Sequence, residues 1–241
     1  MKKFLVAFVG MVALLLGCAD TTRVVPSAPV NVRELRDETV ALVEPDEDGI
    51  FDVYCSGFWV KENLILTAHH CVEHIVKQEY EKADKEAPDH LKVEGYTVYY
   101  RTYRDYIRDH ESPISIRART AIIVRAEEAT DLALLVIEGN TPKHSTATIS
   151  KLPIPDGSQA FAVGHSVGMY YTFSQGIVSN NRIDGDINIL QTWLPCGGGN
   201  SGGPIYNIYG EVIGVLVSGH RRAPTMTFGV HRDVIEAFLS L

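Results

Sequence analysis

Short runs of alternating apolar and polar residues recur along most of the chain, with the period of half-buried strands. Residues 40–43 begin the first such run. Residues 53–60 and 64–67 follow, separated by Lys61-Glu62-Asn63, and predict a hairpin. Residues 91–103 alternate and are rich in tyrosine, which predicts a strand with one exposed aromatic side; residues 114–125 continue in the same style. Further strands are expected at 161–165, 172–179 and 211–219. Two stretches break the rule. Residues 72–89 are rich in Glu, Lys and Ala and predict a short helix with a solvated loop. Residues 233–241 place Val234, Ala237, Phe238 and Leu241 at helical spacing. Residues 140–155, with Pro142, Pro153 and Pro155, read as a linker. The pattern predicts an all-β body closed by a helix, as one large domain or two small lobes.

The N-terminus stands apart from that body. Met1-Lys2-Lys3 precedes an almost unbroken apolar run over residues 4–16, too short for a stable membrane span, so residues 1–17 read as a secretory signal. Leu15-Leu16-Gly17-Cys18 resembles the bacterial lipobox, which implies that Cys18 becomes a lipidated first residue; an ordinary signal with an incidental cysteine is the plainer alternative. Residues 18–34 are then the lipidated cysteine and a polar tether, of which residues 20–33 would reach on the order of 45–50 Å when extended. The implied location is the bacterial cell envelope, on a membrane and facing the periplasm or the exterior. Composition adds little: 45% hydrophobic and 22% charged residues are ordinary globular values. The net charge of −8, with no basic cluster, argues against nucleic acid and sets the body of the protein against an anionic membrane surface.

Candidate chemistry centres on Cys196-Gly197-Gly198-Gly199-Asn200-Ser201-Gly202-Gly203-Pro204. A run so rich in glycine suits a sharp turn that brings its own N–H groups close to a ligand. Within it Ser201 could serve as a nucleophile, with the N–H groups of Gly199 and Ser201 turned on a developing oxyanion. A glycine-rich surface loop is the bland alternative. A serine hydroxyl needs a base, and the base needs an orienting group. Two other stretches offer these: Thr67-Ala68-His69-His70-Cys71, after an apolar strand, and Asp131-Leu132-Ala133-Leu134-Leu135. Taken alone, Asp131 would as readily cap a turn. A metal site built from His69, His70, Cys71 and His74 fits no standard zinc spacing.

Taken together, Thr67, Ala68, His70 and Cys71, then Asp131 to Leu135, then Gly199 to Pro204 resemble the three motif blocks of the trypsin-like (chymotrypsin-fold) serine proteases, in that family's order. Residues 161–165 and 172–179, with Asn200 before the serine, are similar to the protease domain of the periplasmic high-temperature-requirement type. The resemblance implies two six-stranded antiparallel β-barrels over residues 35–241, the first at about 35–140 and the second at about 155–230, with a terminal helix at about 232–241. It implies a serine endopeptidase acting on proteins or peptides through Ser201, His70 and Asp131, with no metal or organic cofactor. His70 rather than His69 holds the motif position, and Asp131 would lie buried beneath it. A disulfide between Cys55 and Cys71 is implied at the matching offsets, with two free thiols as the alternative; Cys196 is then left without a partner. The PDZ domain of those relatives is not expected after Leu241. Asn200 replaces the acid that trypsin-type zymogens pair with a freed N-terminus, so no activating cut is expected.

In the family, the strand holding Leu216, Val217, Ser218 and Gly219 lines the primary substrate pocket, and residues 228–231 form its far wall. No acid occurs in residues 187–200, so a preference for Lys or Arg is not implied. Small or medium uncharged side chains are expected instead, while His220 or His231 could reach an acidic one. A rival from another class is an inactive protease-fold lipoprotein that binds or adheres. Such relatives have commonly lost a triad residue, and all three are present here.

Overall fold

A computed structural model of the chain describes residues 30–48, 50–83, 85, 92–111, 118–184 and 187–240. The signal, Cys18 and most of the tether lie outside the described residues. Twelve strands form two closed antiparallel barrels of six. The first contains β1 (Thr39–Pro45), β2 (Phe51–Lys61), β3 (Leu64–Thr67), β4 (Thr97–Thr102), β5 (Arg119–Glu127) and β6 (Leu132–Val136), in the order β1-β2-β3-β6-β5-β4. The second contains β7 (Gln159–Gly164), β8 (Thr172–Asp184), β9 (Ile187–Trp193), β10 (Pro204–Tyr206), β11 (Val212–His220) and β12 (Ala223–His231), in the order β10-β11-β12-β9-β8-β7. The expected all-β double barrel with a C-terminal helix is what the chain forms.

Alternation explains where the cores sit. On β2, Cys55 and Trp59 point into the first barrel, among Val40, Leu42, Ile65 and Leu135. Phe58, between them in the alternation, points the other way. It meets Leu66 and Leu132 of its own barrel and Val163, Tyr206 and Val215 of the second. That seam makes the middle of β2 buried on both faces. A smaller core of Ala160, Ala162, Val178, Leu190 and Ile213 fills the second barrel. At about 1.5–3 kcal/mol for each large apolar side chain buried, the seam is a principal stabilising contact as well as the place where the barrels are fixed to each other.

Among the described residues, four helices decorate the barrels: α1 (Val32–Glu38), α2 (His69–Lys82), α3 (Tyr103–Glu111) and α4 (Arg232–Ser240). Three details depart from the sequence reading. α1 takes in Val32, Arg33 and Glu34 of the expected tether. The strand expected at 91–103 is confined to β4, and Tyr103 opens α3. α2 starts at His69, three residues before the expected helix. α4 lays Ile235 and Phe238 into the seam. Among the described residues, no helix is long and apolar enough to cross a membrane.

Candidate active site

The start of α2 has no side-chain cap of its own, because its N-cap residue is Ala68. Asp131 supplies one from across the barrel. It sits after a single 3-10 turn (Glu128–Thr130), in the left-handed region at φ 52°, ψ 41°. There its carbonyl accepts from His69 N–H at 3.1 Å and its Oδ1 accepts from His70 N–H at 2.9 Å. The helix dipole favours a carboxylate at this end. The same carboxylate receives the ring: His70 Nδ1 lies 2.8 Å from Oδ2 and 3.1 Å from Oδ1. A carboxylate only accepts, so the ring proton is on Nδ1 and the Nε2 lone pair is free. Nε2 has no partner among the described residues. Asp131 lies at the rim, with its side chain 31% exposed, and is not buried as expected; it borders the open end of α2 rather than a barrel interior. His69 gives its N–H to Asp131, and its ring makes no hydrogen bond among the described residues.

The glycine-rich turn packs directly on this junction. A Cβ on Gly202 would fall 2.2 Å from Thr67 Oγ1 and 2.8 Å from Ala68 N, so the turn rests on the residues just before His69 and His70. Ser201 O accepts from Ser56 N–H at 2.8 Å and lies 3.6 Å from Cys71 Sγ. Ser201 Oγ itself makes no hydrogen bond among the described residues. Four N–H groups of the turn are used internally: those of Gly197, Asn200, Gly202 and Gly203 reach Ser166 Oγ, Gly197 O, Leu216 O and Asn200 O at 2.7–3.3 Å. Those of Gly199 and Ser201 have no acceptor among the described residues. Val167 N–H holds Gly198 O at 2.7 Å, which turns the N–H across that planar peptide, that of Gly199, away from Val167.

Two residues that sequence reasoning overlooked hold the turn in place. Ser56 Oγ donates to Gly199 O at 2.7 Å and lies 2.8 Å from His165 Nδ1. Since the serine hydrogen is committed to the carbonyl, the imidazole hydrogen sits on Nδ1. His165 is fully buried, and that burial pushes its pKa down to about 3, so it is neutral at working pH. Gly199 has φ +93°, and a Cβ there would meet His165 O at 2.2 Å; only glycine fits. Nothing local in the sequence marks this chain of contacts, since Ser56 and Gly199 are 143 residues apart.

Cys55 and Cys71 are joined in a disulfide across 16 residues. Those two sulfurs and His70 are close enough together to suggest a metal site, but disulfide sulfurs offer no thiolate ligand. His74 instead pairs with Glu44 at 3.5 Å. Cys196 is a free thiol whose burial raises its pKa to about 11. It lies in a cleft of ≈ 280 Å³ beside Ser201, together with Leu216, Ser218, Gly219 and Thr227. Val217 does not line this cleft; it alternates to the other face and packs on the two larger cores. Phe228 does not line it either. His231 is directed elsewhere, its Nδ1 accepting from Asp233 N–H at 3.2 Å.

Closing two antiparallel barrels on a shared seam, with the reactive groups set along it, is the architecture of trypsin-like peptidases. The chain belongs to that family: the trypsin-like peptidase domain matches residues 55–215. It is 36% identical over 107 residues to "Serine protease Do-like HtrB" of Bacillus subtilis, a match covering 40% of this chain and 23% of that protein. It is 34% identical over 104 residues to "Probable periplasmic serine endoprotease DegP-like" of Hahella chejuensis, covering 41% and 22%. These names agree with the expected likeness to the high-temperature-requirement type, although the matched part is under a quarter of either relative. Among solved structures, the serine endoprotease from Yersinia pestis superposes with a TM-score of 0.60 at 18% identity, over 88% of this chain and 66% of its own. Rv3671c from M. tuberculosis gives 0.62 at 14% identity, over 89% and 94%. Both likenesses are in the fold.

Proposed function

We propose that the protein is a serine endopeptidase. Ser201 Oγ attacks the scissile carbonyl while His70 Nε2 takes its proton, and the N–H groups of Gly199 and Ser201 receive the oxyanion. The protonated His70, steadied by Asp131, then gives its proton to the leaving amine. The acyl group left on Ser201 is released by water through the same base. The observation that carries this reading is the His70–Asp131 pair: Nδ1 is held at 2.8 Å and Nε2 is left free, beside a turn whose two relevant N–H groups are unused.

Three substitutions test it. Ser201→Ala and His70→Ala should each lower peptide hydrolysis by about 10⁴-fold or more, with an unchanged thermal melt for the serine variant. His69→Ala should keep substantial activity. A serine variant near wild-type activity, or an exchange of the two histidine results, contradicts the assignment.

The supported location is outside the cytoplasm, as the periplasmic designation of the Hahella relative suggests. The Cys18 motif extends this to a lipid-anchored envelope protein. Metabolic labelling with a palmitate analogue should mark the full chain and lose the mark in Cys18→Ser; an unmarked wild-type protein refutes the anchor.

A further inference from the structure

The cleft beside Ser201 has an unbalanced lining. Its floor holds the Cys196 thiol and fully buried Thr227, and one side is the Leu216–Ser218 face of β11. Its rim is the turn between β11 and β12, which contributes His220 and Arg221. No acidic side chain lines it among the described residues. Arg221 is exposed and has no ion pair or hydrogen bond among the described residues. A guanidinium carries five donors and no acceptor. His220 Nδ1 accepts from Arg222 N–H at 3.2 Å, which fixes the neutral ring as the Nε2–H tautomer and makes its remaining polar atom a donor too. Thr227 Oγ1 lies 2.6 Å from Thr192 Oγ1; that bond uses one hydroxyl hydrogen and leaves the pair a second to give. The lining is thus rich in donors, holds no carboxylate among the described residues, and is positive at its mouth.

From this lining we infer that the cleft selects peptides with Glu or Asp immediately before the scissile bond, and that Arg221 is the specificity-determining residue, assisted by His220. The inference rests on the serine endopeptidase reading and names the substrate class of the same site. A carboxylate is the side chain that matches a guanidinium and an N–H donor with no competing acid, since charge-assisted hydrogen bonds are roughly twice as strong as neutral ones. A Lys or Arg side chain would meet like charge and no carboxylate in the lining, which is discrimination by repulsion. An uncharged side chain would be tolerated but would leave Arg221 to water. On this reading Arg221 outweighs the uncharged preference that Leu216, Val217 and Ser218 imply, and Val217 packs on the two larger cores instead.

The test uses the full chain and four peptides that differ only at the residue before the cut: Glu, Gln, Leu or Lys. Fluorophosphonate labelling of the same wild-type preparation is read in parallel. The expected result is a labelled protein with a kcat/KM for the Glu peptide at least about tenfold above Gln, and no measurable cleavage of Lys. In Arg221→Gln, folded by circular dichroism, the Glu-to-Gln ratio should fall towards one. In Arg221→Glu the order should turn towards Lys. The wild-type ratio should also shrink at high salt, because Arg221 is at an open rim. A labelled protein that cleaves Gln or Leu as well as Glu, or a ratio unmoved by Arg221→Gln, overturns the carboxylate assignment and leaves the serine mechanism standing. A folded protein that neither labels nor cleaves overturns both.

Discussion

Gly199 and Gly202 hold φ values of +93° and +81° in the turn that presents Ser201, and each faces backbone or side-chain atoms closer than a Cβ allows. Those demands are visible in the sequence as a glycine run around a serine. The partners that impose them are not: His165 O for Gly199, and Thr67 Oγ1 with Ser56 O for Gly202, come from distant strands. The same limit applies to Glu38. Nothing in the sequence pattern marks it, yet it is 6% exposed, and Oε2 has no partner among the described residues. Burial raises its pKa to about 7. A carboxyl raised in the folded state favours folding below its unfolded value of about 4.5, and that stability is lost as pH rises through about 7. Glu38→Gln should therefore stabilise the protein at pH 8, by on the order of 2–3 kcal/mol, and change little at pH 4. Denaturant melts at the two values check it; equal effects at both would contradict the buried carboxyl.

Strands were more legible than helices, and the reasons are local. The barrel strands bury alternate residues, so their period appears in the sequence. α1 has seven residues and buries only Leu35 among its apolar ones, so no helical period exists to be seen. Its signal is the cap instead: Asn31 Oδ1 accepts from Glu34 N–H at 3.4 Å and Asn31 Nδ2 donates to Glu34 Oε2 at 3.3 Å. α3 was hidden by tyrosines that suit a strand equally well, although Thr102 and Asp105 form a reciprocal cap at its start. The start of α2 could not be placed from local signals, because Asp131 caps it from 61 residues away. Asp105 does more than cap. It is 2% exposed and also accepts from Arg119 at 2.8 and 3.0 Å and from Arg108 at 2.7 Å. Burial alone would raise its pKa; the hydrogen bonds from Arg119 and Thr102 outweigh that and hold it below the usual carboxylate range. The stability from a depressed carboxyl is present above its unfolded pKa and lost as pH falls below it. Asp105→Asn should cost about 3–5 kcal/mol at pH 7, with the gap to wild type closing as the pH falls below about 4. A loss independent of pH would show that the charge is not what matters.

Across the whole molecule, the candidate site is a product of the seam. His70 and Asp131 belong to the first barrel and Ser201 to the second, so their meeting depends on Phe58, Leu66 and Leu132 packing against Val163, Tyr206 and Val215. Sequence pattern places Phe58, Leu66, Val163 and Val215 in strands but does not mark Tyr206, and it cannot say which positions point inward and which bridge, since a strand buried on both faces loses its alternation. Motif order adds what the pattern cannot, by pointing to Ser201, His70 and Asp131 as one candidate set. Whether that convergence makes Ser201 a nucleophile is tested most directly by treating the folded full chain with diisopropyl fluorophosphate and mapping the adduct by mass spectrometry. A single adduct on Ser201, absent from Ser201→Ala and strongly reduced in His70→Ala, is predicted. A folded chain that takes up no adduct, or takes it up at a residue other than Ser201, contradicts the serine mechanism.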